Sequence, residues 1–239
     1  MGYRLRRHPF DVSAHFRHSL VLAYALPASA LVSLLPPALE PDRHGDLGFV
    51  AAAFVQTERM RPSFLPPALG LDFFLGGYRI FVRVADRPSL RGLYILRSDT
   101  DRQLLTFFGN LLTSYRYRTV DGGMRLDGET LRVEIRPGVS VAADLSRRPG
   151  PLPPTSPFAS VEEARRFAGP LPFTFHHEPE TGRLLSVRGL RSSWDPQPVA
   201  VDVHELGFFS PKRFGEEPAL ANAFYVGGVE YRWQRGRLI

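Results

Sequence analysis

The sequence predicts an α+β protein dominated by an antiparallel sheet that could close into a barrel. About a dozen short segments are continuously apolar or alternate between apolar and polar residues, as strands do. Two Asp-Gly pairs, Asp121-Gly122 and Asp127-Gly128, mark tight hairpin turns, and only three segments have helical spacing. The chain has 239 residues, enough to bury a sizeable core. We therefore predict one domain over residues 1–239.

The N-terminal half contains strands separated by proline-rich turns. Residues 1–15 are predicted to form an arm that can be mobile, because a basic cluster there lies at a terminus. Ser19–Leu35 lacks charge, but Pro27 divides it into a strand and a short helix, so we predict no membrane span. The predicted elements are strands at Leu20–Leu26, Leu47–Thr57, Tyr78–Val84 and Leu93–Leu96, a helix at Ala28–Leu35, and a loop at Arg61–Leu71.

The next segment is the best helix of the sequence. Leu104, Phe108 and Leu111 recur at helical spacing, and Ser98 or Asp99 precedes them as a possible N-cap. We predict a helix over Thr100–Leu112 that packs these apolar side chains against the sheet.

The C-terminal half continues as hairpins and short strands. Ser146–Pro157 (SRRPGPLPPTSP) is predicted to be a proline-rich internal loop. Ser160 and Glu163 form a capping box that opens another short helix. The predicted strands are Tyr115–Val120, Gly123–Leu126, Leu131–Ile135, Val139–Leu145, Phe173–His177, Leu184–Arg188, Val199–Leu206 and Ala223–Gln234.

Composition excludes several classes of function. The chain has no cysteine, which rules out disulfides and thiolate chemistry and suits a cytoplasmic protein. Its net charge of +6 comes from arginines spread along the chain, so we predict no nucleic-acid partner. Adjacent His176 and His177 would point to opposite faces of a strand, and we predict neither a metal site nor a cofactor. A homo-oligomer is left open.

Five segments in order resemble a known bacterial family. They read PASALVSLLPPALEPD, LGFVAAAFVQTERMRP, YRIFVRV, RGLYILRSDTDRQLLTFFGN and SYRYRT. Their order and spacing are similar to those of the YqjF-like family of unknown function, within the acetoacetate decarboxylase-like superfamily. The resemblance implies a closed, cone-like antiparallel β-barrel with a cavity inside and a few short helices outside.

The resemblance also implies what this chain lacks. Acetoacetate decarboxylases use a barrel lysine that forms an imine with the keto acid, but the corresponding segment here reads Thr113-Ser114-Tyr115-Arg116-Tyr117. The family's acid in its E-L-N-V-R segment is replaced by Leu75, whereas its arginine is retained as Arg79. The only lysine, Lys212, lies in a polar loop segment and matches no catalytic position. Imine chemistry is therefore not expected.

The candidates for binding a ligand in the cavity include Arg79, Tyr115 and Arg116. Arg79 and Arg83 share a face of one strand, and either could clamp a carboxylate or phosphate if that face is internal. Arg79 is favoured because the resemblance matches it, whereas Arg83 is expected to cover the outside of the sheet. Tyr115 and Arg116 occupy opposite faces of their segment, so either the tyrosine or the arginine could be internal.

Two carboxylates complete the candidate set. Glu58 could replace the missing family acid or form a surface ion pair, and Asp99 could partner Arg79. Two functions stay open at this point. The first is a barrel that binds a small anionic or apolar-anionic molecule without Schiff-base decarboxylase activity. The alternative is a lyase-type enzyme on small oxo or hydroxy acids, with Glu58, Tyr115 or Asp99 as proton carrier.

Overall fold

A computed structural model of the protein describes residues 3–168 and 171–239, and these residues form a mostly-sheet α+β fold. The strands are β1 Val12–Pro27, β2 Leu39–Pro41, β3 Leu47–Pro62, β4 Leu71–Val84, β5 Arg87–Thr100, β6 Tyr117–Thr119, β7 Asp121–Asp127, β8 Thr130–Arg136, β9 Val139–Asp144, β10 Phe173–Glu178, β11 Arg183–Arg191, β12 Gln197–Pro198, β13 Ala200–Leu206, β14 Ala219–Trp233 and β15 Arg237–Leu238. The helices are α1 Ser29–Val32, α2 Gln103–Leu112, α3 Val161–Ala168 and α4 Pro211–Phe214, with short 3-10 turns at Tyr3–Arg6 and Pro67–Leu69.

Eleven strands make the large sheet, whose main path runs β12-β14-β1-β3-β4-β5-β10-β11-β15. The neighbours β1, β3, β4 and β5 pair antiparallel over their length, as the alternating sequence predicts. Strand β10 pairs with β5 in parallel through two residue pairs, and β11 returns to β14 through three. The strands from β14 to β11 therefore form a ring of hydrogen-bonded pairs.

The two faces of the large sheet have different roles. Strands β7, β8, β9 and β13 form a second, antiparallel sheet of four strands. Its apolar side chains, such as Leu131 and Val141, share the main core with alternate residues of β4, such as Tyr78 and Ile80. The residues between them on β4 face the other way, toward a cavity within the ring. One strand thus supplies both a core and a cavity wall.

Helix α2 exists where the sequence predicts it, but two details of that prediction are wrong. Ser98 and Asp99 belong to β5, and the helix begins at Gln103 without a side-chain cap. Its leucine and phenylalanine stripe is exposed, with Leu104 at 55% and Phe108 at 46% exposure. The buried residue of α2 is Gly109, which lies so close to the Tyr117 ring that a Cβ atom would collide with it. Close approach through a small residue, rather than burial of the apolar stripe, fixes this helix.

Several other boundaries differ from the prediction. Strand β1 begins at Val12, within the segment predicted as an N-terminal arm, and Arg7 makes a two-pronged ion pair with buried Glu178. Residues 146–157 carry neither helix nor strand, and the Gly150 amide donates a hydrogen bond to the carbonyl of Pro198. No helix among the described residues has the length and apolar character needed to cross a membrane.

Candidate functional site

The cavity inside the ring has a volume of about 130 Å³, the space of roughly four water molecules. Apolar side chains from β1, β3, β4, β5 and β14 form most of its wall. Its polar lining residues are Ser19, Arg79, Ser98, Tyr115, Tyr117, Thr174, Arg191, Trp194, Tyr231 and Trp233. No Asp, Glu or Lys lines the cavity among the described residues, so the charged groups of its wall are all cationic.

Arg79 is directed into this cavity by the alternation of β4. It lies on the same face as Gly77 and Phe81, which also line the cavity, whereas Tyr78 and Ile80 pack in the main core. Gly77 leaves room for the guanidinium, because a Cβ there would lie 3.1 Å from Nη2 of Arg79. Within the described chain, the Nε of Arg79 is buried without a hydrogen-bond partner. Burial lowers the pKa of Arg79 to about 10, and the nearby Arg191 cation acts in the same direction.

Arg191, at the end of β11, is the second cation of the cavity. It donates a hydrogen bond of 3.2 Å to the carbonyl of Leu171, and its guanidinium lies 4.5 Å from the ring centroid of Trp194. Sequence reasoning missed this residue. The strand predicted over Leu184–Arg188 ended before Arg191, and nothing in the sequence showed that β11 approaches β4 across the ring.

The tyrosine segment before β6 contributes Tyr115 and Tyr117 to the cavity wall. Burial and the neighbouring phenols raise the pKa of Tyr115, so its hydroxyl stays protonated at neutral pH. In the part of the chain that the structure describes, the hydroxyls of Tyr115 and Ser19 and the indole N–H of Trp194 have no hydrogen-bond partner of ordinary geometry. The cavity therefore presents several hydrogen-bond donors that the described side chains leave unpaired.

Arg116 does not join Tyr115 in the cavity. Its backbone φ of +56° is in the left-handed region, and its side chain is exposed. Of the two arrangements left open for this segment, the structure has the tyrosines inside and Arg116 outside.

The two candidate carboxylates also lie elsewhere. Glu58 makes an exposed ion pair with Arg17 at 3.3 Å, the surface arrangement that the sequence allowed. Asp99 is fully buried on the main-core side of β5, where the Nη2 of Arg97 donates to it at 2.7 Å. Since neighbouring residues of a strand face opposite sides, Ser98 rather than Asp99 reaches the cavity. The structure thus brings Arg79 and Tyr115 together and leaves Glu58, Asp99 and Arg116 outside.

The remaining basic residues of interest are peripheral. Arg83 pairs with Glu40 at 3.5 Å and does not line the cavity, although it shares the strand face of Arg79. Lys212 is exposed, as predicted, although it lies in the short helix α4 rather than in a loop. Within the described ranges, no three His, Asp or Glu side chains are placed to share a metal ion.

Comparison with known proteins identifies the family of the chain and proteins of similar fold. Residues 13–230 match the DUF2071 family, described as an uncharacterized conserved protein (COG2071). None of the curated proteins matches the sequence.

Several solved structures have a similar fold at low identity. Acetoacetate decarboxylase from Legionella pneumophila is 12% identical with a TM-score of 0.65, over 97% of this chain and 88% of that one. An acetoacetate decarboxylase-like enzyme from Sphingomonas wittichii RW1 is 14% identical with a TM-score of 0.65, and the match covers 98% of this chain and 94% of that one. The enduracididine biosynthesis enzyme MppR, complexed with pyruvate, is 14% identical with a TM-score of 0.60, and the match covers 96% of this chain and 90% of that one. At these identities the likeness concerns the fold.

Proposed function

We propose that this chain, which belongs to the DUF2071 family of uncharacterized conserved proteins, binds a small carboxylate anion inside the ring. One observation carries this proposal. The Arg79 guanidinium lies in a cavity that no Asp or Glu lines among the described residues, and its Nε has no protein partner there. Arg79 as a whole keeps partial exposure, but its Nε is buried. A desolvated cation without a counter-charge is costly, and a bound anion would offset that cost.

The donors around Arg79 fit a carboxylate. Guanidinium binds carboxylate oxygens through two parallel hydrogen bonds, and the Tyr115 hydroxyl and Trp194 N–H can supply further donors. The apolar wall keeps water from screening these contacts. MppR, which shares the fold, is known in complex with pyruvate, and this supports a small oxo acid as the first candidate. We infer that the ring acts as a closed barrel around this ligand.

Binding without a Schiff base is part of the proposal. Lys212 is exposed in α4 and does not line the cavity, so it lies outside the proposed ligand site. The alternative of a lyase using other residues has less support, because Glu58 and Asp99 lie outside the cavity. Tyr115 stays protonated, which makes it a hydrogen-bond donor rather than a base.

The test is a calorimetric titration of the protein with pyruvate, repeated with the uncharged methyl pyruvate. We expect pyruvate to bind the native chain, and Arg79→Met to abolish binding without unfolding the protein. Arg83→Met is the matched control, because Arg83 shares the strand and face of Arg79 but pairs with Glu40. Equal binding of both ligands, or unchanged binding by Arg79→Met, would contradict an anion site.

Imine chemistry is tested separately by borohydride reduction in the presence of pyruvate. We expect no mass increase on Lys212, and the Lys212→Arg variant should bind pyruvate as the native chain does. A pyruvate-derived adduct on Lys212 would overturn this part of the proposal.

A further inference from the structure

A second, larger concavity lies beside α2, at the ends of β1, β3, β4 and β14. Its volume is about 360 Å³, and His8–Phe10, Val12, Met60–Pro62 and the α2 side chains Leu104, Leu105, Phe108 and Leu112 form most of its lining. The lining is almost wholly apolar, and within the described residues it contains no Asp or Glu. Its one arginine, Arg61, donates to the carbonyls of Leu65 and Arg59 and so is already paired. We name this concavity the outer groove.

The outer groove and the Arg79 cavity share part of their wall. Tyr115, Tyr117 and Trp233 line both. Tyr117 is buried and held against Gly109 of α2, whereas Tyr115 and Trp233 are partly exposed. A route between the two spaces would therefore pass between the Tyr115 and Trp233 rings.

We propose that the ligand is a carboxylate with an unbranched apolar tail, whose head binds Arg79 and whose tail lies in the outer groove. This inference rests on the proposed function and extends it to a ligand class. A mostly apolar concavity of this size is typical of small-molecule sites. The wall that it shares with the cation cavity favours an amphipathic anion as its occupant. The cavity by itself, at about 130 Å³, has no room for a long tail.

The experiment measures the affinity of straight-chain 2-oxo acids from pyruvate to 2-oxooctanoate. We expect affinity to increase by about threefold to fourfold for each methylene that enters the groove. The double variant Leu104→Gln and Phe108→Gln changes two exposed groove residues, so it should fold normally. It should bind pyruvate as the native chain does but lose most of the gain with chain length. Leu126→Gln, at an equally exposed leucine of β7 that does not line the groove, should retain that gain.

The outcomes separate the two proposals. If pyruvate binds through Arg79 but longer acids bind no better, the tail inference is wrong and the anion site stands. If long acids bind equally well to Arg79→Met, the proposed function itself fails. A chain-length gain that survives the double variant also overturns the inference, because the tail then lies elsewhere. The same holds if the double variant only converts an oligomer to a monomer in sedimentation, since the groove would then hold a second copy of the chain.

Discussion

Two arginines on neighbouring strands, Arg97 of β5 and Arg79 of β4, lie on opposite faces of the same sheet and differ in their partners. Arg97 donates to fully buried Asp99 at 2.7 Å and lies over the Tyr78 ring at 4.5 Å. Arg79 faces a cavity without a carboxylate among its described lining residues. The carboxylate partner makes Arg97 part of the fold, whereas Arg79, which lacks one among the described cavity residues, is the charge proposed to bind a ligand. The two arginines are distinguished by their partners rather than by their burial.

The largest effect is expected from breaking the paired side. Asp99→Ala would leave Arg97 without its counter-charge in the protein interior, and it should lower the free energy of unfolding by about 3–5 kcal/mol. Urea denaturation measures this change. Asp86→Ala, at an acid exposed beside Arg87, is the control and should change the stability by less than about 0.5 kcal/mol. Similar losses in the two variants would show that the Arg97 pair is not specially important.

His176 of β10 is partly buried, and it remains uncharged in the folded protein at neutral pH. Burial, with Arg116 and His177 nearby, lowers the pKa of His176 to about 4. In the unfolded chain this imidazole takes up a proton near its ordinary pKa of 6.5, whereas in the folded protein it does so only near pH 4. Its contribution to stability is therefore complete above pH 6.5 and is lost as the pH falls toward 4.

This predicts a pH dependence that one substitution should reduce. Between pH 7 and pH 5, His176 should account for a loss of about 1 kcal/mol in the free energy of unfolding, because solvent screening of this partly exposed residue reduces the full effect of the shift. His176→Gln should remove that part, while His204→Gln, at an exposed residue of β13, should leave the native slope. Buried His8, whose pKa burial also lowers, should retain part of the slope in both variants. An unchanged slope in His176→Gln would contradict the assignment.

Removing the unpaired charge should cost the ligand-free protein little. Arg79→Met keeps a side chain of similar length and removes a desolvated cation, so the stability should stay constant or increase by up to about 1 kcal/mol. Arg97→Met is the comparison and should be clearly destabilising, because Asp99 would lose its partner at 2.7 Å and keep the more distant Arg118 at 3.6 Å. If both substitutions destabilise equally, Arg79 has a structural role like that of Arg97.

The smallest effects are expected from two adjacent glycines that face the two arginine environments. A Cβ on Gly76 would meet Phe54 and Asp99 at ordinary contact distance, whereas one on Gly77 would press on the Arg79 guanidinium. Each alanine substitution should change the stability by less than about 1 kcal/mol. Only Gly77→Ala should weaken carboxylate binding in the calorimetric assay. Equal binding by the two variants would show that the position of Arg79 is not critical.

The alternation of β4 was enough to predict which of its residues share a face, and the family resemblance selected Arg79 among them. The sequence could not show which face is internal, because both faces of this sheet are covered by protein and both are apolar. Asp99 was therefore predicted as a possible cavity residue, although its side chain lies on the other face. It follows Ser98, which lines the cavity, by one residue, and that single step places Asp99 on the main-core face.

For helix α2, the sequence predicted the element but not its surroundings. The spacing of Leu104, Phe108 and Leu111 correctly predicted a helix, but these side chains are exposed rather than packed against the sheet. An apolar stripe normally indicates the buried face of a helix. Here Gly109 sets the contact with the sheet, and Leu104 and Phe108 of the stripe line the outer groove. Arg191 was missed for a different reason, since its approach to β4 depends on how the ring closes.

The uneven pairing of the ring determines where the cavity can exchange with solvent. Strands β1 and β3 share fourteen residue pairs, whereas β5 and β10 meet through two and β11 and β14 through three. Local opening requires the least free energy where the fewest hydrogen bonds break. Amide hydrogens at these two junctions should therefore exchange faster than those between β1 and β3. At the β11–β14 junction Arg191 pairs with Tyr231 and Gly189 with Trp233, so an opening there would move a cavity cation and an aromatic wall residue together, and ligand entry and the assembly of its binding site would be a single event.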